Sequence, residues 1–162
     1  MAIEVCTVQS ASGWAEARRL IEAYARSLAI DLSFQDFQRE LDTLEILYST
    51  PSGAFLLALD GHTALGCVGL RRLSERDSEM KRLYVAPEAR AGGVGKLLAN
   101  GAVQAAERLG YRRVLLDTLP SMTEAQALYR RLGFVSIPAY RFNPNAGTVF
   151  MALELPLPIP KA

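Results

Sequence analysis

Histidine and cysteine are scarce in this chain, and their scarcity limits the kinds of site that it can build. His62 is the only histidine, and it lies in Asp60-Gly61-His62, a composition typical of a hairpin turn. Cys6 and Cys67 lack the spacing of metal ligands, and a reducing cytosol disfavours a disulfide between them. We therefore expect neither a Ser-His-Asp triad nor a metal site, and both cysteines should be small buried hydrophobes.

Long apolar runs and an excess of one charge are also missing. The longest apolar run, from Ala54 to Leu59, is far shorter than the roughly 18–20 residues that span a bilayer. The N-terminus has no basic segment followed by an apolar one, so no secretory signal is visible. Eighteen basic and seventeen acidic side chains nearly cancel, which leaves no electrostatic footprint for nucleic acid. We expect a cytoplasmic protein with neither membrane nor nucleic acid as a partner.

Length and apolar content predict a single folded domain. The chain has 162 residues, half of them hydrophobic, which is enough for one buried core and short for two. We expect the domain over residues 1–155 and an extended, Pro-rich tail over 156–162. Apolar spacing predicts a strand at 2–8, a helix at 12–29, and a second helix that begins with Ser33 as N-cap.

Strands and helices alternate in the rest of the chain. A β-hairpin is predicted with arms at 54–59 and 64–71. The strand at 113–118 follows a helical crossover and should run parallel to the strand at 80–85. The last predicted elements are a helix opened by the capping box Ser121-x-x-Glu124 and closed by Gly133, and strands at 134–137 and 148–155.

A strand, a glycine-rich turn and a helix follow one another between Glu79 and Leu109. The strand stops at Pro87, and the apolar residues after Gly95 recur at helical spacing until Gly110, where a C-terminal cap belongs. Closely spaced glycines let the backbone approach a ligand, and the free N–H groups of a helix N-terminus attract anions. The pattern predicts a cradle for a phosphate group.

Two common nucleotide-binding motifs do not fit this turn. A P-loop would need Ser or Thr where Leu97 follows Gly95-Lys96, and a Rossmann fingerprint would need glycine at Leu98. In contrast, Arg90-x-x-Gly93-x-Gly95 resembles the Arg/Gln-x-x-Gly-x-Gly/Ala motif of the GNAT superfamily of acyl-CoA-dependent N-acetyltransferases. About thirty residues further on, Ala125-x-x-Leu128-Tyr129-x-x-x-Gly133-Phe134 resembles the second segment that marks this superfamily. The chain is similar to its small, single-domain, bacterial-type members over about residues 54–155.

The resemblance implies the α/β (α+β) GNAT fold, a mixed central sheet of about six to seven strands with flanking helices. In that fold the parallel strands corresponding to 80–85 and 113–118 splay apart, and the pantetheine arm of acetyl-CoA enters the gap. The pyrophosphate would lie on the amides that follow Arg90, while Lys96 could assist as a cation or could face solvent. The implied cofactor-binding residues are Leu83, Tyr84, Val85, Arg90, Ala91, Gly92, Gly93, Val94, Gly95, Lys96, Ser121, Ala125 and Leu128. One position departs from the family: many members have Asn where this chain has Met122, and Ser121 or Thr123 could replace that contact.

Two residues are expected to take part in the chemistry. Tyr129 matches the tyrosine that in many members gives a proton to the departing CoA thiolate, although packing in the core is the alternative. Glu79 lies eleven residues before Arg90, where several histone-type members place a glutamate base; a solvated strand-edge glutamate or a water relay is the alternative. The resemblance implies direct attack of a primary amine in a ternary complex. Cys67 as an acyl carrier is disfavoured because nothing nearby in the sequence would activate it.

The acceptor is the least determined part of the prediction. The helix pair in the first fifty residues and the loop at 138–147 should wall its site, with Phe34, Tyr140, Arg141 and Asn143 as candidate substrate-binding residues. Arg141 could pair with a substrate carboxylate, which favours a small amine or amino acid, or it could be a surface charge. A protein or peptide acceptor, a non-catalytic acyl-CoA sensor and a homodimer remain as alternatives.

Overall fold

The computed structural model describes residues 2–28, 31, 32 and 36–157. Its centre is one mixed sheet of seven strands in the order β1-β2-β3-β4-β5-β7-β6, which confirms the predicted fold class. The strands are β1 (Ile3–Thr7), β2 (Ala54–Asp60), β3 (Thr63–Arg72), β4 (Asp77–Val85), β5 (Arg113–Thr118), β6 (Val135–Ile137) and β7 (Val149–Glu154). The helices are α1 (Ala11–Ser27), α2 (Phe37–Asp42), α3 (Leu44–Leu47), α4 (Val94–Arg108) and α5 (Thr123–Leu132).

Strand pairing follows the sequence-based expectation closely. The first four strands pair antiparallel, each with the next, and β2 and β3 form the predicted hairpin. The crossover through α4 makes β5 parallel to β4, as predicted. Beyond β5, the order of the strands in the sheet differs from their order in the chain. β7 lies between β5 and β6 and pairs antiparallel with both.

The parallel pair in the middle of the sheet opens into a gap. β4 and β5 pair only where residues 77–79 meet 113–115, although β4 continues to Val85 and β5 to Thr118. A register shift between β3 and β4 adds a bulge in β4, and Arg82 takes a left-handed conformation there with φ of 61°. Beyond their first three residue pairs the two strands therefore run apart.

Two apolar clusters cover the two faces of the sheet. Adjacent residues of β2 show the division, because Leu56 belongs to the cluster beneath α4 and Leu57 to the cluster beneath α1. α4 packs on β2, β3 and β4, whereas α1 packs on β3 and β4 from the other side. Each face of the sheet is thus covered by a well-packed core.

Helix boundaries differ from the expectation at three places. The helix predicted at 12–29 is α1, which ends at Ser27 because Leu28 is already extended. The helix predicted from Ser33 begins at Phe37 after Asp36 and breaks at Thr43; Ser33 and Phe34 lie outside the described residues. The prediction of a capping box at Ser121 is wrong. Met122 is the N-cap of α5, and no side chain caps this helix. A backbone turn in which the Met122 N–H donates to the Leu119 carbonyl carries the chain past Ser121 before the helix starts. Within the described ranges, no helix is long and apolar enough to cross a membrane.

Candidate active site

A cavity opens where β4 and β5 separate. Its wall combines apolar side chains with polar groups from β4, β5 and the 138–147 loop. The wall comprises Tyr24 of α1, Leu28 and Leu32 after that helix, residues 80–83 of β4, residues 116–119 at the end of β5 and just beyond it, Met122, Ala125 and Tyr129 of α5, and Asn143.

Tyr129 lies against this gap and stays protonated. Its side chain is buried and packs against Phe134, with ring centroids 5.7 Å apart. Burial, together with the nearby Tyr24 and Asp117, raises the pKa of Tyr129 well above the usual value of a tyrosine. A phenol with a raised pKa keeps its proton at neutral pH and can donate it to a group in the gap.

The N-terminus of α4 presents uncapped amides, as the phosphate-cradle prediction requires. Gly93 is the N-cap with φ of 79°, no side chain caps the helix, and Ala91 is also left-handed with φ of 69°. The N–H groups of Val94, Gly95 and Lys96 form the first turn of the helix and therefore have no acceptor within it. The dipole of this 15-residue helix reinforces their attraction for an anion.

Gly95 and Arg90 connect this helix end to β4. A Cβ on Gly95 would lie 3.7 Å from Leu128 Cδ2 and 3.8 Å from Val85 Cγ2, so the helix start sits close to both elements. Arg90 Nε donates to the Val85 carbonyl at 3.0 Å, and its guanidinium lies 5.9 Å from the Tyr84 ring. The amide cradle is thereby fixed at the open end of the gap.

The Glu79 carboxylate is fully buried and held by three side chains. One oxygen accepts from Arg71 Nε at 3.0 Å, and the other accepts from the Tyr140 hydroxyl at 2.6 Å and contacts the Arg141 guanidinium. Burial alone would raise the pKa of Glu79, but Lys81, Arg141 and Arg71 more than offset it and lower that pKa. A carboxylate of lowered pKa is a weaker base, so the role of Glu79 as proton acceptor stays a prediction, while its contacts anchor the 138–147 loop to β4.

A second buried carboxylate, Glu40 of α2, lies beside the same strand. Arg82 donates to it from Nε at 2.8 Å and from Nη2 at 2.9 Å, and Lys81 Nζ is 3.9 Å away. The Arg82 guanidinium also lies 5.4 Å from the Phe37 ring and 5.9 Å from the Tyr24 ring. This ion pair ties α2 to the bulge of β4, next to the gap.

Lys81 and Asp117 are charged residues in the wall of the gap itself. Burial, reinforced by Arg82, lowers the pKa of Lys81 to about 8, although Glu79 and Glu40 act in the opposite direction. Asp117 Oδ2 accepts from Asn143 Nδ2 at 3.3 Å, so Asn143 of the 138–147 loop reaches the gap.

The sequence-predicted residues fall into three groups in the structure. Leu83, Ala125, Tyr129 and Asn143 line the gap, and residues 90–96 form the turn and helix start at its end. Tyr140 and Arg141 contact the buried Glu79 beside it, so Arg141 is paired with Glu79. Ser121 is exposed, Leu128 packs on the core, and Phe34 lies outside the described residues.

Several residues at the gap were not predicted from the sequence, namely Tyr24, Glu40, Lys81, Arg82 and Asp117. One signal was available, since charged residues at 79, 81 and 82 are unusual in a strand at the centre of a sheet. Cys67 contributes no chemistry there, because it is fully buried, donates from Sγ to the Arg82 carbonyl and has its pKa raised by burial. In the part of the chain that the structure describes, no cluster of His, Cys, Asp and Glu could hold a metal ion.

Comparison with known proteins agrees with this geometry. The family model described as Acetyltransferase (GNAT) family matches residues 14–134. An uncharacterised N-acetyltransferase of Schizosaccharomyces pombe is 39% identical over 140 residues, covering 85% of this chain and 86% of the relative. A GNAT-family acetyltransferase structure from Staphylococcus aureus Mu50 superimposes with a TM-score of 0.79 at 24% identity, covering 96% of this chain and 100% of the other. One from Elizabethkingia anophelis, with acetyl-CoA bound, gives 0.62 at 17% identity and covers 94% and 98%. The chain therefore belongs to the acetyltransferase (GNAT) family.

Proposed function

We propose that this protein transfers an acetyl group from acetyl-CoA to the primary amine of a small molecule, such as an amino acid, by direct attack in a ternary complex. The observation that carries the proposal is the gap between β4 and β5, which has a protonated phenol on its wall and an uncapped helix N-terminus at its end. Family membership indicates the reaction class, and the residues at the gap indicate how the cofactor binds and how the protons move.

The residues at the gap fit the two ends of acetyl-CoA. The amides from Ala91 to Lys96 would hold the pyrophosphate, because they are the donors of an uncapped helix start. Backbone groups of Leu83 to Val85, beyond the pairing with β5, would hold the pantetheine arm as an added strand. Ala125 gives this arm room on the α5 side of the gap.

The reaction forms a C–N bond and breaks a C–S bond. Bound acetyl-CoA supplies the thioester carbonyl carbon that the amine attacks. Tyr129, which burial keeps protonated, gives its proton to the thiolate sulfur that leaves. The amine loses its own proton to Glu79 or to a water relay. Holding amine and thioester in one gap supplies much of the acceleration by proximity.

Tyr129→Phe tests the proposal, because it removes one hydroxyl and leaves the ring. We expect turnover to fall about 10²- to 10⁴-fold, the range for loss of a general acid, with the affinity for acetyl-CoA unchanged. Tyr111→Phe is the matched control, since the Tyr111 hydroxyl donates to the Ser52 carbonyl away from the gap. Its turnover should equal that of the wild type.

Amine-dependent thiol release and the mass of the acetylated product are the readouts, measured over amino acids, other small amines and peptides. Full turnover in Tyr129→Phe would contradict the assigned proton donor. Binding of acetyl-CoA without turnover of any amine would favour the sensor alternative over the enzyme.

A further inference from the structure

The two faces of the sheet bring different groups to the gap. Tyr129 belongs to the apolar cluster beneath α4, the helix whose N-terminus would hold the pyrophosphate. Leu116 of β5 belongs to the same cluster, and adjacent residues of a strand point to opposite faces. Asp117, the next residue of β5, therefore points to the face that α1 covers. The proton donor and the cofactor cradle thus lie on one side of the sheet, and Asp117 lies on the other.

Asp117 is a half-buried carboxylate in the wall of the gap, and most of its hydrogen-bonding capacity is unused. Its Oδ2 accepts from the neutral amide of Asn143 at 3.3 Å. It is paired with Phe150 of β7, whose ring centroid lies 5.4 Å from that of Tyr140, so the 138–147 loop borders it. Within the part of the chain that the structure describes, Asp117 forms no ion pair. Because a carboxylate can accept about four hydrogen bonds, an ammonium group could bind here.

The cations on this face are directed at another carboxylate. Arg71, Arg141 and Lys81 all face Glu79. The charge of Asp117 also acts on Arg141, but less strongly than that of Glu79. A cationic group that enters the gap from this face therefore reaches a carboxylate that no cation of the described residues contacts.

Glu79, in contrast, is poorly placed to receive a proton from an acceptor. Arg71 contacts one of its oxygens, and Tyr140 and Arg141 contact the other. Its side chain is fully buried, and the β4 residues that line the cavity are 80–83. Protonation of Glu79 would disrupt the contacts that anchor the 138–147 loop to β4.

We propose that Asp117 binds the ammonium group of the acceptor and takes its proton, so that the acceptor is an aliphatic amine that is cationic at neutral pH. This inference rests on the proposed N-acetyltransferase function and adds a catalytic residue at the same site. An alkylammonium with a pKa of about 10 arrives charged, and a carboxylate attracts it. An amine that is already neutral, such as an aryl amine, lacks this attraction.

The acceptor nitrogen loses two protons in the complete reaction. One N–H bond breaks and one O–H bond forms on Asp117, which frees the lone pair that attacks the thioester carbon. The C–S bond then breaks, and Tyr129 gives its proton to the sulfur. The second proton of the nitrogen replaces the one that Tyr129 gave. Asp117 is half-buried and returns the first proton to solvent.

The pH profile of kcat/KM for the best aliphatic acceptor tests the inference, because it reports which form of the amine the enzyme uses. The range from about pH 5.5 to 7 lies above the ordinary pKa of a carboxylate and below that of an alkylammonium. Burial lowers the pKa of Lys81 to about 8, so this side chain also keeps its charge there. An enzyme that binds the ammonium form and supplies its own base gives a flat profile in this range. The wild type should show this flat profile.

Asp117→Asn should use the free amine instead, because it has no base. Its kcat/KM should rise about tenfold per pH unit, and at pH 7 it should be about 10²- to 10⁴-fold below the wild type. Its affinity for acetyl-CoA should be unchanged, and the new amide oxygen can still accept from Asn143. Asp117→Glu keeps a carboxylate and should keep the flat profile. Asp60→Asn, on the exposed hairpin turn, is the matched control and should equal the wild type.

The outcomes separate this inference from the proposed function. A wild-type profile that rises tenfold per pH unit, or a flat profile in Asp117→Asn, would overturn the role of Asp117 and leave the N-acetyltransferase function standing. A profile that rises in Glu79→Gln and stays flat in Asp117→Asn would assign the base to Glu79. Absence of product from every amine would overturn the proposed function, and this inference with it. Asp117→Ser, which also lacks a base, takes the place of an Asp117→Asn protein that fails to fold.

Discussion

Glu79→Gln removes a negative charge that faces both Arg71 and Arg141, and its cost can be worked from the structure. Glu79 is fully buried, while Arg71 and Arg141 keep 24% and 20% of their side chains exposed. Removing one partner of a buried ion pair costs about 3–5 kcal/mol, and the partial hydration of both arginines favours the lower end of that range, about 3 kcal/mol. Urea denaturation at neutral pH measures this loss. Glu75→Gln, on the exposed turn before β4, is the control and should stay within about 0.5 kcal/mol of the wild type.

The pH dependence of this loss has a fixed sign. Because the pKa of Glu79 is lowered in the folded protein, its stabilising contribution is present above the unfolded value of about 4.3 and disappears as the pH falls through the folded value. The difference between wild type and Glu79→Gln should therefore shrink in acid. A loss below about 1 kcal/mol at neutral pH, or one that does not depend on pH, would refute the assignment of a stabilising ion pair.

The same variant tests the predicted base. Loss of a general base lowers kcat by about 10²- to 10⁴-fold, and it removes the limb of the pH profile that reports the base. A smaller fall in kcat with an unchanged pH profile, measured where the variant is fully folded, would exclude Glu79 as the general base. Its role would then be to anchor the 138–147 loop.

Two further predictions concern glycines. Gly69→Ala should destabilise the fold by about 1–3 kcal/mol in urea, because its Cβ would lie 2.6 Å from Cε1 of the buried Tyr48 ring. Gly93→Ala should cost about 1–2 kcal/mol owing to its left-handed φ of 79°. Gly92→Ala, without positive φ or a close contact, should cost less.

Features encoded by neighbouring residues could be predicted from the sequence. The turn at Gly61 gives the β2–β3 hairpin, and the run from Arg90 to Gly95 gives the uncapped start of α4. Gly110 and Gly133 end α4 and α5 with φ of 87° and 107°, because glycine adopts these angles without strain. The capping box at Ser121 failed for a local reason too, since a backbone turn there competes with the side-chain cap.

The charged part of the site depends on tertiary contacts, which the sequence does not reveal. Arg82 and Glu40 are 42 residues apart, and Tyr140 and Glu79 are 61 residues apart. Lys81 and Asp117 line the same gap only because β4 and β5 are in register before they separate. The charges in β4 were visible in the sequence, but their partners required the packing of α2 and the 138–147 loop on the sheet.

The central claim is direct transfer from acetyl-CoA to an amine in the gap, and a balance of products tests it most directly. Acetyl-CoA labelled in its acetyl group is mixed with the protein and an amino acid, and free CoA, labelled acetyl-amine and labelled protein are quantified over time. Direct transfer predicts one acetyl-amine for each CoA released and no label on the protein, in keeping with the buried Cys67. Label that appears first on the protein, or release of CoA that does not depend on the amine, would contradict the claim.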